Sequence, residues 1–368
     1  MDDKINPFTP TFGKVPPLFA GRKYIIKDVL EGLQAGPGNP NRASLFVGAR
    51  GSGKTALLVK IANEASQRGW ISARVTAVPG MLEDILERTY AAGNSFLAEG
   101  AESKITGLSV AGFGVTREVK SKPLGNWRTQ MNAVLDVLER HSIGLLITVD
   151  EVKNTDEMRL LAATFQHLVS EEREVVLLMA GLPQNASALL SDESVSFLRR
   201  AASHQLGAIH EPYEVRETIQ KTIELSGRTI DETALEEATI ATGGFPFLIQ
   251  LVGYHIWRQS PSKNMISESD VTKGIRYAQE DMENRILKLT VSELSDRDVQ
   301  FLLAMLQDDE ISQLSAIAER LGVSLTYAGQ YRLRLIEQGI IGARGRGKLG
   351  FDLPMLKDYL KRTHSVKG

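Results

Sequence analysis

The sequence predicts an α/β fold organised around a phosphate-binding loop, on three observations. From Ser44 to Ile61, SLFVGARGSGKTALLVKI sets an apolar run before Gly48, four further residues, then Gly53, Lys54 and Thr55, with a helix-period run after them. From Leu145 to Glu151, LLITVDE has the pattern of a buried strand that ends in two acids. Around both, strand-length apolar runs alternate with amphipathic helical segments, the order in which parallel sheets are built.

The first stretch is suited to capturing phosphate. Glycines let backbone N–H groups across Gly48, Ala49, Arg50, Gly51, Ser52 and Gly53 turn inward around the β- and γ-phosphates of a nucleotide, and the following helix points its positive dipole end at the same charge. Lys54 is placed to reach the β/γ oxygens and Thr55 to hold Mg2+, so ATP and Mg2+ are the expected cofactors. The second stretch delivers two carboxylates to the carboxyl edge of the sheet: Asp150 to organise the metal and its waters, Glu151 to polarise the attacking water. A strand ending in Asp-Glu is a weak signal alone; about ninety residues after a phosphate loop it points to hydrolysis rather than mere binding.

Composition sets wider limits. The chain has 368 residues, 42% hydrophobic and 24% charged, enough for two or three domains with their own cores and unlike a disordered or fibrous chain. It contains no cysteine, which excludes disulfides, thiolate metal sites and a thiol nucleophile. No apolar run reaches the length of a bilayer span and the N-terminal residues lack a signal peptide's apolar stretch, so a cytoplasmic protein without a membrane partner is expected. The net charge of −2 gives no global nucleic-acid footprint, and any such binding has to come from a local patch.

In chain order, the proline-rich residues up to Pro17 are expected to lie extended on the body, and Lys23 to Leu33 carries Ile25, Ile26, Val29, Leu30 and Leu33 at helical spacing. After the loop's helix ends at Gly69, Trp70 to Val78 reads as a strand and Met81 to Ala92 as a helix. Gly93 to Gly125, rich in Gly, Ser and Lys and containing SVAGFGVTREV, reads as a surface loop or hairpin insertion. A helix with Asn126 as N-cap and Trp127, Met131, Val134, Leu135 and Leu138 as its apolar stripe follows. Asp156 to Val169 is a further helix and Val175 to Ala180 a buried strand. Arg199 and Arg200 precede a fifth strand expected near Gln205 to Ile209; an arginine there reaches a neighbouring subunit's γ-phosphate as a catalytic group, or is an exposed helix-end charge, and periodicity does not separate the two.

The ordered set FAGR, GARGSGKT, LLITVDE, LPQN, FLRR and GGFPF, followed by a helix-turn-helix tail, resembles AAA+ and STAND-type P-loop ATPases. Within that group it looks closest to prokaryotic relatives of archaeal origin-recognition initiators and to archaeal-type ATPases. The resemblance implies a P-loop core with a five-stranded parallel sheet over residues 1–210, a helical lid over 211–289 and a winged helix-turn-helix over 290–368. It implies that Gly21 and Arg22 lie against the nucleotide and that Glu151 is the catalytic acid. It also makes Gln184 and Asn185 candidates for a γ-phosphate sensor and Pro246 a contact beside the adenine. From the residues alone, Tyr213 to Ser226 and Asp231 to Thr242 are helices and Pro246 sits in the first turn of a third, a helix start and nothing more. Many initiators of this type carry a lid arginine that senses the γ-phosphate; none is expected here, since Arg258 lies at the far end of its helix.

Beyond Thr290, Ser295 and Asp298 open a helix in capping-box style, and LSAIAERLGVSLTYAGQYRLRLIEQGII has the layout of a helix, a turn with Gly322 and a second helix capped by Ser324. ARGRGKLGFDLP follows as a β-wing. From Tyr331 to the end nine basic residues stand against three acids, an excess of six able to release counterions from phosphates. Leu325, Ala328, Leu335 and Ile336 mark the buried face of the second helix, with Arg332 on that side, while Gln330 and Arg334 point away. Gln330 and Arg334 are therefore expected in a major groove, and Arg344, Arg346 and Lys348 at the minor groove or phosphates. The expected function is a slow Mg2+-dependent ATPase acting as a switch coupled to DNA. The competing reading is a signalling or scaffold ATPase whose winged helix is an intramolecular latch or a protein-binding module; a homo-oligomer or partner protein is open in both.

Overall fold

The computed structural model describes residues 5–11, 14–93 and 127–364; the insertion expected after Gly93, with SVAGFGVTREV, and the Asn126 cap lie outside the described residues. Five strands, β1 (Ala43–Gly48), β2 (Ile71–Thr76), β3 (Leu145–Asp150), β4 (Val175–Gly181) and β5 (Ala202–Leu206), form one parallel sheet in the order β2-β3-β4-β1-β5. The three inner strands are buried almost throughout, as strands covered on both faces must be. The edges are less covered: β2 alternates buried with more exposed positions, and β5 alternates half-buried with exposed ones up to a buried Leu206. That alternation explains why the fifth strand is displaced from Gln205–Ile209: an edge strand needs no continuous apolar run, and the sheet takes Ala202–Leu206, paired from Ser44 with Ala202 to Gly48 with Leu206. Ile209 leaves the sheet and donates its amide to Gly244 O at 2.8 Å.

Side-chain alternation along the strands divides the core between two faces. Phe46, Leu146, Val176 and Leu178 meet α1 (Lys23–Gln34) and α2 (Lys54–Ser66) on one side. Leu45, Val47, Ile147 and Val149 meet α3 (Met81–Ala92), α4 (Trp127–Arg140) and α5 (Asp156–Ser170) on the other. After β4, α6 (Pro183–Ser191) and a 3-10 segment, Glu193–Arg200, lead to β5. Every strand thus ends on the same edge, where the loops that carry the expected chemistry gather.

The chain continues into a helical lid of α7 (Pro212–Leu225), α8 (Glu232–Thr242), α9 (Pro246–Arg258) and α10 (Glu268–Met282), with the two-residue strands β6 (Thr229–Ile230) and β7 (Met265–Ile266) paired among them. Asp231 caps α8 by accepting from the amides of Thr233 and Ala234. α10 runs through a π-helical turn, Glu283–Leu287, into α11 (Lys288–Ser292), so the backbone crosses residue 289 inside a helix.

The remaining elements are α12 (Asp296–Met305), β8 (Ser312–Gln313), α13 (Leu314–Leu321), α14 (Leu325–Glu337), β9 (Ile341–Ala343), β10 (Lys348–Phe351) and α15 (Leu356–His364), with the strands in the antiparallel order β8-β10-β9. The Ser295/Asp298 capping box is present, and Ser324 accepts from the Tyr327 amide at the start of α14. One hydrophobic cluster joins this unit to the lid, from Val215 and Ile256 through Met282 and Leu287 to Phe301, Leu335 and Leu360. No helix among the described residues is long and apolar enough to cross a membrane.

The N-terminal segment is pinned rather than merely laid on the surface. Phe8 is 1% exposed and belongs to the lid core, where its ring passes so close over Gly253 that a Cβ there would lie 2.2 Å away. On either side, Asn6 Nδ2 donates to Tyr254 O (3.1 Å) and the Thr9 amide to Gln250 Oε1 (3.0 Å). Phe8→Ala is expected to cost about 3 kcal/mol by emptying that site, read as a lower urea midpoint at unchanged denaturant dependence. A midpoint equal to that of the parent protein would show that the ring adds nothing to the lid.

Candidate functional site

β1 ends at Gly48 and α2 begins at Lys54, so the five residues between turn around the strand edge. Lys54 Nζ donates to the carbonyls of Gly48 (2.8 Å) and Ala49 (2.9 Å), which folds the side chain back over its own loop. Burial pulls its pKa down to about 8, against Asp150 and Glu151, which raise it, and with Arg50, which lowers it further. From β3, Asp150 Oδ2 accepts from Thr55 Oγ1 at 2.6 Å, and Asp150 Oδ1 accepts from the Glu151 amide at 2.9 Å. Glu151 follows with φ of 52°, a left-handed backbone that costs energy for a residue with a side chain and presents its carboxylate as an exposed group. The Thr55 hydroxyl and Asp150 carboxylate are a hard oxygen pair that suits Mg2+, which keeps most of its shell for phosphate and water.

The lid closes directly on this loop. The Phe247 amide in the first turn of α9 donates to Gly51 O at 3.2 Å. Gly51 has φ of 82°, and a Cβ on it would come within 2.9 Å of the Phe245 ring; Pro246 lies 3.4 Å from where a Cβ of Gly53 would be. Core and lid enclose a cavity of about 950 Å3, the size of a pocket for a nucleotide-sized ligand. Its walls carry six cations, Lys14, Arg22, Arg50, Lys54, Lys153 and Arg285, against the acids Asp150 and Glu151. That balance favours a polyanionic ligand.

Of the residues expected in the site, Arg22, Arg50, Gly51, Ser52, Gly53, Lys54, Thr55, Asp150, Glu151 and Pro246 line the cavity, with Gln184 and Asn185 after β4. Gly48 and Ala49 serve it from behind through the carbonyls that hold Lys54. Gly21 also stands behind the wall: its amide donates to Glu214 Oε2 on α7 at 2.8 Å, while Arg22 donates to Gly207 O and burial draws its guanidinium below the ordinary value. Arg199 and Arg200 are exposed and are not among the cavity's lining residues; Arg199 Nε donates to Leu190 O at 2.8 Å.

Two lining residues carried no sequence signal. Arg285 reaches the cavity from the π-helical turn, paired with Asp281 at 3.1 Å, so the lid does bring an arginine to this space. Gln250 reaches it from α9. Neither belongs to a motif, and only the folding of helix onto loop brings them there.

The C-terminal basic residues are placed differently from expectation. Arg334 does not point freely away: its Nε and Nη2 both bond Asp298 Oδ1, at 2.9 and 2.5 Å, and its guanidinium lies over the Tyr331 ring. Arg344 pairs with Asp352 at 2.6 Å, and Arg362 with Glu283. Leu325, expected to be buried, is 56% exposed because it begins α14 on the outer side, whereas Ala328 and Leu335 are buried as expected and Arg332 is half-buried. Gln330, Arg346 and Lys348 are exposed. The same unit rests on the core: α14 packs against α6, Arg50 lies 3.7 Å from Glu293, and a Cβ on Gly339 would come within 2.9 Å of the Ala49 Cβ.

Among solved structures, the chain is similar to the Aeropyrum pernix ORC2 protein, solved as ADPNP-ADP complexes, at 14% identity with a TM-score of 0.61 over 97% of this chain and 98% of that one. Cdc6p from Pyrobaculum aerophilum follows at 15% identity, TM-score 0.48 and 97% and 96% coverage. A Thermotoga maritima RuvB variant follows at 17%, 0.46, and 96% and 98%. Residues 284–360 match the family model described as Domain of unknown function (DUF8462). No curated protein matches the chain. The likeness to ORC2 is one of fold, an α/β P-loop fold with a five-stranded parallel sheet.

Two outcomes follow from the geometry. Lys54 must be charged to hold phosphate, and with a pKa near 8 the side chain is mostly charged at pH 7 and mostly neutral well above pH 8. Nucleotide affinity is therefore expected to be flat up to about pH 7 and to fall toward tenfold per pH unit above 8, with Lys54→Arg flat throughout, measured by fluorescent-nucleotide titration. Asp298 is only 3% exposed on its side chain, so Arg334→Ala leaves a buried carboxylate without its partner. A loss of about 1–3 kcal/mol in denaturant unfolding is expected.

Proposed function

We propose that this chain binds ATP with Mg2+ and hydrolyses it slowly, as a switch in which nucleotide state governs contact between its C-terminal unit and DNA. The observation that carries this reading is the seating of the Gly339 turn on Ala49, beside the α9–Gly51 contact, so that one loop touches phosphate site, lid and C-terminal unit together. The ADPNP-ADP complexes of the similarly folded ORC2 protein support nucleotide as the ligand.

In this reading Lys54 would exchange its two carbonyl bonds for phosphate oxygens, and Thr55 and Asp150 would hold Mg2+, which would supply positive charge against the phosphates. Glu151 accepts the proton of the attacking water, its position set by the strand end and the turned backbone. Arg22, Gln184, Asn185 and Pro246 contact the bound nucleotide from the cavity wall. Arg199 and Arg200 serve catalysis only across a homo-oligomer interface, since neither lines the cavity of its own chain. The units divided at residues 210 and 289 then act as core, lid and winged helix, the last two coupled through their common hydrophobic cluster.

DNA contact falls to Gln330, Arg346 and Lys348, because Arg334 and Arg344 are held by acids of their own unit. A second reading, an intramolecular latch that releases a protein-binding face, is favoured by the docking of α14 on α6 and by Leu325, Tyr327 and Leu333, which are 56%, 41% and 53% exposed on that helix. Fluorescence anisotropy on random duplex DNA, with ATP, ADP or no nucleotide across a salt series, decides between them. The DNA switch predicts affinity that differs between nucleotides, and a salt slope reduced by about two when Arg346 and Lys348 are both changed to Ala. Absence of binding at low salt in every nucleotide state leaves the latch.

A further inference from the structure

Gln250 has a hydrogen-bonding arrangement that the phosphate chemistry does not use. It stands on α9 one turn after Pro246, and Pro246 covers Gly53, so the two residues share the helix face turned toward the cavity. One turn of helix advances about 5.4 Å. That step, plus the reach of a glutamine side chain, carries the carboxamide away from the phosphate loop along the wall of the same cavity.

The orientation of the carboxamide is set by its partner. Thr9 N–H can only donate, so the atom it meets at 3.0 Å must be Oε1, and Nε2 is the free end of the amide. Among the described residues Nε2 has no protein acceptor. Thr9 itself is held in place by Phe8, buried in the lid core, and Asn6, bonded to Tyr254. The side chain is therefore a fixed donor beside a cavity wall that also offers Pro16, Leu18, Phe19 and Ile209 as apolar surface.

We propose that Gln250 is the base-reading residue of this site, its Nε2 donating to an unprotonated ring nitrogen of adenine. Adenine presents N1 as an acceptor, whereas guanine carries a proton at N1; a fixed donor facing that edge accepts the first and repels the second. A donor that a bound base covers without offering it an acceptor discriminates against that base, because its desolvation is not compensated. The inference rests on the ATP reading above and names its specificity determinant.

The experiment is competition of ATP and GTP against a fluorescent ATP analogue on the full-length chain, with Gln250→Leu, Gln250→Glu and Lys54→Ala, folding being checked by thermal unfolding. Wild type is expected to prefer ATP by at least about tenfold. Gln250→Leu should bring the ratio toward one. Gln250→Glu keeps an acceptor for the Thr9 amide but turns the free end into a second acceptor, and should shift preference toward GTP. A wild type without preference, or a ratio unchanged in both Gln250 variants while Lys54→Ala abolishes binding, overturns the role of Gln250 and leaves the ATP reading standing. If the wild type binds neither nucleotide, both fall together.

Discussion

The contact on which the remaining architecture depends is the interlock between the phosphate loop and the first turn of α9. Gly51 and Gly53 lie directly under Phe245, Phe247 and Pro246, and the Phe247 amide donates to Gly51 O. The loop's glycines therefore meet two demands with one residue type: backbone that can turn its N–H groups toward phosphate, and space for a neighbouring helix to approach without a Cβ between. Because the lid closes on the loop itself, any ligand that repositions those N–H groups acts on α9 without an intermediary.

From α9 the consequence spreads by packing. The lid core contains Phe8 from the N-terminal segment and continues through α10 and the π-helical turn into the C-terminal unit, with no break in the hydrophobic cluster. That unit in turn touches the loop at Ala49 through Gly339. The molecule is thus closed on itself: core to lid through Gly51, lid to C-terminal unit through shared side chains, and C-terminal unit back to the core. A packed loop of contacts of this kind has discrete arrangements rather than a continuum.

Charge follows the same logic at two scales. In the cavity, cations outnumber acids and the half-buried Lys54 is partly desolvated, so an anionic ligand gains more there than it would in water. On the C-terminal unit part of the excess of basic residues counted along the chain is spent on acids that lie elsewhere in the sequence. Asp298 takes Arg334 and Glu283 takes Arg362, both from outside the basic window. A charge count over a stretch of sequence measures composition; the field that a partner meets depends on which of those charges already have partners.

The sequence by itself determined what is local. The phosphate loop, the acids ending β3, the caps at Asp231, Ser295 and Ser324, and the helix start at Pro246 are set by residues within a few positions of one another, where backbone geometry and side-chain chemistry act together. The buried inner strands were legible for the same reason, while the edge strand β5 was misplaced because its position is set by pairing with β1 and by the departure of Ile209 toward Gly244. Tertiary structure alone decided the rest: Arg285 and Gln250 beside the cavity, Phe8 inside the lid, Arg334 on Asp298 and Gly339 on Ala49. Each of these joins residues brought together by helix packing, and no spacing along the chain encodes a meeting that only the crossing of distant elements creates.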